Sequence, residues 1–249
     1  MKHIYSFNFL SRFVVLLLTP VFFQYFALGF IWHSIYWGVI TFALIIWVSF
    51  VLLSPLVGRI GCGWFCFMGT VSDFAGSHAF RASKWKRPLV WTRLALFIAF
   101  LASSITFYFL NKERGITHGF DVIPDFLPLS MDAHYKLVWV GDVSFALLLS
   151  LFLNKRWGCK NLCLIGGTCA AGAKYSRLLP VVDTSKCVHC GKCEKECLVG
   201  IPLSEYIKSN GLVTNSECIL CGKCAEVCKP EAIKLKFVWR RKNYVAPKK

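Results

Sequence analysis

The hydrophobic pattern divides the chain into two unlike parts. From Phe13 to Gly58 a run of 46 residues contains no Asp, Glu, Lys or Arg. A helical bilayer crossing takes about 20 apolar residues. The run therefore holds two spans, at about 13–32 and 35–56, with a tight turn near His33 and Ser34. It reads as spans and not as a cleavable leader, whose apolar region runs only about 7–15 residues before a small-residue cleavage site. WTRLALFIAFLASSITFYFL predicts a third span at 91–110, and LVWVGDVSFALLLSLFL a shorter fourth at 137–153 that carries Asp142. Beyond these the long apolar runs stop. LLPVVD and AIKLKF are strand-like, and LSEYIKS between them is a short helix candidate. The expected fold is a four-span α-helical membrane domain over 1–178, built as two pseudo-repeated hairpins. A small α+β domain follows over 179–238, then a tail over 239–249.

Composition agrees with that division. The 249 residues are 56% hydrophobic and 16% aromatic, too apolar for an ordinary soluble domain. The net charge of +16 needs an explanation. Four spans put both termini on one side. The second interspan loop carries Arg59, Arg81, Lys84, Lys86 and Arg87 against Asp73. The third carries Lys112 and Arg114 against Glu113, Asp121, Asp125 and Asp132. Basic loops stay in the cytosol, so both termini and the C-terminal domain are expected there, in a multi-pass protein of the bacterial inner membrane. The basic excess then reports topology, and without a nucleic-acid-binding motif it does not imply nucleic acid. The tail WRRKNYVAPKK suits anionic lipid headgroups.

Cysteine spacing carries the chemistry. CVHCGKCEKEC at 187–197 and CILCGKCAEVC at 218–228 both read C-x2-C-x2-C-x3-C. The spacing resembles that of bacterial two-cluster ferredoxins, in which three cysteines of one run and the fourth of the other hold each 4Fe–4S cluster. Carried over, Cys187, Cys190, Cys193 and Cys228 hold one cluster, and Cys218, Cys221, Cys224 and Cys197 the other. Zinc sites use isolated ligand pairs instead of interlocked quartets. Gly191 and Gly222 are expected to let the backbone approach the cluster. The proline that follows the fourth cysteine in such ferredoxins is absent, with Leu198 and Lys229 in its place. His189, inside the first run, reads as a solvated or sulfur-adjacent side chain and not as a ligand.

A second repeat lies upstream. RIGCGWFCFMGT (59–70) aligns with RWGCKNLCLIGG (156–167) as R-x-G-C-x3-C-apolar-apolar-G. Each copy follows the second span of a hairpin. Cysteines four apart share one face of a helix, so the two pairs together offer four thiolates. Cys62, Cys66, Cys159 and Cys163 are candidates for a third metal centre, with the thirteenth cysteine, Cys169, as a substitute. Redox-active thiol pairs and inert small residues are the alternatives. A disulfide would have to recur twice in a reducing compartment.

Four spans, two C-x3-C motifs and a C-terminal two-cluster module together resemble the NapH-type ferredoxin membrane proteins, which serve periplasmic nitrate reductase systems. The resemblance covers nearly the whole chain. The C-x3-C-P motif of that family is altered in both copies, where Phe67 and Leu164 replace proline. What the resemblance implies is the electron-transfer subunit of a quinol dehydrogenase complex. It would oxidise menaquinol from the membrane pool and pass electrons to another iron–sulfur or c-type cytochrome subunit and an anaerobic terminal reductase. Two other functions compete: a ferredoxin-type quinone-reducing subunit, and an iron–sulfur redox sensor or metal-centre assembly factor.

Quinol oxidation needs a proton acceptor in an apolar pocket. Ionisable groups within spans are candidates. Asp142 is the only acid in an expected span, and His134 lies near it. Both are placed toward the outer face, although Asp142 could equally cap a helix end, and a pocket beside the cytoplasmic C-x3-C pairs is an equal alternative. No C-x2-C-H motif supports covalent haem, His33 and His134 are a weak pair for b-type haem, and no nucleotide fingerprint is present.

Overall fold

The computed structural model describes residues 10–15, 42–76, 90–115, 133–153, 156–209 and 211–239, with isolated positions between 17 and 40. The expected first span at 13–32 falls mostly outside these residues, as do His33, the charged stretches 77–89 and 116–132, the side chain of His134 and nearly all of the tail.

Helix α1 (Phe42–Val57) fills most of the expected second span. Gly58 ends it, at a φ of +66° that favours a residue without Cβ. A one-turn helix α2 (Ile60–Trp64) and α3 (Phe67–Gly76) follow. Helix α4 (Val90–Glu113) contains the expected third span, and among the described residues it is the one helix long and apolar enough to cross a membrane. Helix α5 (Ala133–Phe152) covers the fourth; its described apolar part, Val140–Phe152, is shorter than a crossing, as is that of α1. Trp91, Ile98 and Phe109 of α4, Leu52 of α1 and Phe152 of α5 are exposed. Next come α6 (Trp157–Asn161) and α7 (Leu164–Ala173).

The two C-x3-C copies exchange partners. Helix α3, after the first copy, packs on α5, which precedes the second; α7, after the second, packs on α1, which precedes the first. The packing is close enough that a Cβ at Gly172 would lie 1.8 Å from Ser54 Oγ.

The C-terminal part is a ferredoxin-like unit. Strand β1 (Leu178–Val182) pairs antiparallel with β2 (Ile233–Phe237), Leu178 facing Phe237 and Val182 facing Ile233. Pro180 fits because its carbonyl, not an N–H, is needed: it accepts from Val213 at 3.0 Å. Helices α8 (Lys192–Lys195), α9 (Leu203–Lys208) and α10 (Lys223–Glu226) complete the unit. Its core holds Val182, Leu198, Ile201, Val213, Ile219 and Ile233, with the cysteines packed against it. Leu198, in place of proline, thus contributes core area, about 1.5–3 kcal/mol for a fully buried leucine.

Candidate metal centres

Each C-x3-C copy is a broken helix and not a continuous one. Cys62 lies in α2 and Cys159 in α6, but Cys66 and Cys163 fall after those helices end and directly before α3 and α7. Cys163 is the N-cap of α7, its Sγ accepting the Gly166 N–H at 3.3 Å, and Gly69 N–H bonds Cys66 in the same way. The expectation that each pair lies along one helical face is therefore corrected: a break between two helices separates the two thiols of each pair. Phe67 and Leu164 are the first residues of α3 and α7, where proline is favoured but not required. Losing it leaves both helix starts intact.

The break brings both pairs to one cavity of about 280 Å³. Cys62, Cys66, Cys159, Cys163 and Cys169 line it, with Arg59 and Asp142. Apolar walls come from Phe50, Phe67, Met68, Phe145, Leu149 and Ile165. Burial pushes the Cys66, Cys159 and Cys163 thiols up, Cys159 to about 12, and neighbouring thiols add to the rise. Such thiols are poor redox nucleophiles, which need lowered values and access. A metal that displaces the proton changes this. All thirteen cysteines are free of disulfides. Among the described residues no three Cys, His, Asp or Glu groups converge closely enough for a single ion. Thiols that surround a space suit a polynuclear cluster better than zinc, whose thiolate bonds are about 2.3 Å. One further observation fits an anionic group there: Arg59 Nε is fully buried with no hydrogen-bond partner. Leaving such a donor unpaired costs about 1–3 kcal/mol or more.

The arginine and glycine shared by the two copies have a structural meaning. The arginine of each copy lies against the last glycine of the other. A Cβ at Gly69 would come 2.9 Å from Arg156 Cζ, and one at Gly166 2.7 Å from Arg59 Nη2. Arg156, in the left-handed region at φ 54°, grips both oxygens of Asp73 on α3 and donates to the Cys62 carbonyl at 2.7 Å. Arg12 donates to Asp73 at 3.0 Å and to the Gly63 carbonyl. Arg59 donates to Glu217 at 2.7 Å, and Arg93 of α4 to both oxygens of Glu217 at 3.1 Å. Arg59 was expected to be a cytosolic loop charge; it is instead buried against the residue before Cys218.

That contact joins the two halves of the chain. Trp64 Nε1 donates to the Leu220 carbonyl at 3.1 Å, and Lys160 Nζ to that of Val199 at 3.2 Å. An alanine Cβ at Gly63 would lie 2.1 Å from the Ile219 carbonyl oxygen, a backbone atom with no freedom to rotate away. Gly63→Ala is expected to destabilise the protein by about 1–3 kcal/mol, the usual range for overpacking. Gly141→Ala, on α5 with nothing within 4 Å, should be neutral or better. Thermal unfolding in detergent checks the pair; equal midpoints would show that the Gly63 contact is not tight.

In the ferredoxin-like unit Cys193 lies in the field of Cys187, Cys190 and Cys228, and Cys224 in that of Cys218, Cys221 and Cys197. These two sets of four thiols could each hold a cluster. His189 and Leu220 occupy equivalent left-handed positions at φ 54°, and Gly191 and Gly222 follow two residues later at φ 69° and 78°. His189 is exposed. Gly191 has a φ that favours a residue without Cβ, and a Cβ there would meet no protein atom within 4 Å, which leaves the space beside it open to a bound group. Asp142 does not cap a helix end. It lies nine residues after the start of α5 at Ala133, and it faces the same cavity as the cysteines. Arg12, Asp73, Arg93, Trp64 and Glu217 were not singled out from sequence; only the arginine repeated in both copies offered a signal.

Comparison with known proteins points to the same chemistry. Residues 179–229 match the family described as a 4Fe-4S dicluster domain, and residues 39–88, which include Cys62 and Cys66, match one described as a 4Fe-4S binding domain. "Putative electron transport protein YccM" of Escherichia coli (strain K12) is 28% identical over 181 residues, 67% of this chain and 48% of that protein. "Methylamine utilization ferredoxin-type protein MauN" of Methylobacillus flagellatus is 28% identical over 146 residues, 56% of this chain and 48% of that protein. The chain thus spans about half the length of these relatives. No solved structure matches it. The chain has two 4Fe–4S-type domains and is similar to electron-transport proteins of the YccM and MauN kind.

Proposed function

We propose that the chain is a multi-pass inner-membrane subunit that oxidises a quinol and delivers electrons to a respiratory partner, in the manner of NapH-type proteins. The observation that carries this reading is the single cavity in which Asp142 faces the two C-x3-C pairs. Two 4Fe–4S clusters belong to the crossed cysteine sets, Cys187, Cys190, Cys193 and Cys228, and Cys218, Cys221, Cys224 and Cys197. Cys62, Cys66, Cys159 and Cys163 hold a third, with Cys169 in reserve. When bound, such clusters supply one-electron transfer. The residues of the chain do the rest. Phe50, Phe145 and Leu149 give the slot apolar walls, and Asp142 takes a hydroxyl proton from the quinol. Along α5 the slot extends about 10 Å from Asp142 to Leu149, at about 1.5 Å per residue. Asp142 and the cysteines line the same cavity, so proton and electron could leave a bound quinol side by side. The outward Trp91, Ile98 and Phe109 of α4 support contact with lipid.

Iron and sulfide analysis of the purified protein tests the cofactor content. Three clusters give about twelve irons per chain, and Cys62→Ser lowers that to about eight. About eight irons in both proteins would remove the third centre. Menaquinol added anaerobically should reduce the clusters without another donor; if only dithionite reduces them, the quinol assignment is wrong.

A further inference from the structure

The two-fold exchange between the C-x3-C copies makes Arg59 and Arg156 counterparts, yet their hydrogen bonding differs. Every nitrogen of Arg156 is engaged, Nε and Nη2 on Asp73 and Nη1 on the Cys62 carbonyl. Arg59 has Nη1 on Glu217 and leaves Nε without a partner, although the side chain is 2% exposed. Buried orphan donors are rare and call for an explanation. Arg59 lines the cavity of the five cysteines. Its guanidinium lies across the first turn of α7, beside Gly166, hydrogen-bonds the Cys62 thiol through a nitrogen other than Nε, and faces Cys163. Cys169 and Cys218 are also within its field. A neutral thiol is only a weak acceptor. The sulfur of an anionic cluster is a strong one, and hydrogen bonds to sulfur help to set cluster potentials.

We propose that Arg59 is a positioning residue for the C-x3-C centre, donating its Nε–H to a sulfur of the cluster while Glu217 holds the guanidinium in place. The inference rests on the third centre proposed above. A cationic donor stabilises the reduced, more negative cluster, so Arg59 raises its potential. Glu217 precedes Cys218, so the same contact fixes the orientation of this donor relative to the ferredoxin-like unit.

The test is an EPR-monitored redox titration of the full chain with its clusters in place, comparing wild type with Arg59→Lys and Arg156→Lys. Both changes keep the charge and remove the forked donor. In Arg59→Lys the reduction equilibrium of the third centre should fall about tenfold, a shift of 59 mV for a one-electron couple. In Arg156→Lys the loss should appear as a lower unfolding temperature with little shift in potential. A third-centre potential unchanged in Arg59→Lys overturns the Arg59 assignment alone, whereas the absence of a third signal in wild type overturns the centre as well. Should Arg59→Lys fail to fold, pulsed EPR of protein labelled with ¹⁵N-arginine decides. A nitrogen coupling at the third centre that persists in Arg156→Lys supports the assignment. No coupling, or one lost with Arg156, overturns it.

Discussion

Glu217→Ala should destabilise the protein by about 3–5 kcal/mol, the cost of removing one partner from a buried ion pair. The carboxylate is 11% exposed, and the guanidinium groups it faces, Arg59 and Arg93, are 2% and 8% exposed. Removing it takes the counter-ion from two buried cations, one of which, Arg59, lines a cavity with apolar walls. Arg93 retains one acceptor, the Lys160 carbonyl at 2.7 Å, but Arg59 loses its ion pair while its Nε is already unpaired. Native proteins are stable by only about 5–15 kcal/mol, so a loss of this size removes a large part of the margin. Glu226→Ala is the matched comparison. Its pair with Lys223 also lies beside the second cysteine run, but both partners are exposed, at 47% and 39%, and such pairs contribute about 0–1 kcal/mol. Urea unfolding in detergent, followed by tryptophan fluorescence, measures both. Comparable midpoints for the two variants would show that Glu217 is not the buried anchor described here. Limited proteolysis adds a positional reading, because Glu217 links the ferredoxin-like unit to α4 and to the first C-x3-C copy: cleavage between residues 173 and 178 should accelerate in Glu217→Ala.

The candidate metal-binding residues were legible in the sequence because spacing alone marks them. A run of C-x2-C-x2-C-x3-C needs no tertiary partner to be recognised, and LLPVV and IKLKF showed the strands that frame it. The 97-residue offset between the two arginine–cysteine repeats likewise foretold a shared site. What spacing cannot carry is a partner far along the chain. Arg59 meets Glu217 across 158 residues and Arg156 meets Asp73 across 83, with no periodicity to connect them. In a basic chain each such arginine looks like a topological charge, and burial is what separates the two roles. The break at Cys66 and Cys163 was also hidden, because Phe67 and Leu164 hide the helix start that proline would have marked. Asp142 was visible as an acid in an apolar run. What sequence could not show is that helix α5 begins at Ala133, well before the apolar stretch, which puts Asp142 inside the helix and not at its end.

On the quinol reading proposed above, Asp142→Asn should slow quinol-driven cluster reduction by about 10²–10⁴-fold, the range for loss of a general base. Asparagine keeps the size of the side chain but cannot take a proton. Oxidation of a quinol releases two electrons and two protons, and the protons must leave as the electrons enter the clusters. In this cavity the walls near Asp142 are Phe145, Ala146, Leu149 and Phe50, which offer no alternative base. The cysteines that share the cavity cannot substitute if metal holds their sulfurs. Arg59, the other charged residue in the lining, is a cation and accepts nothing. The loss should therefore fall on the proton step. Iron content, reduction by dithionite and the quinol concentration giving half-maximal rate should stay near their wild-type values. The measurement is stopped-flow absorbance of cluster bleaching after anaerobic mixing with menaquinol, in wild type and variant at matched iron content. An unchanged rate would move the proton acceptor out of this cavity. A fall in both iron content and dithionite reduction would make Asp142 a structural residue of the cavity.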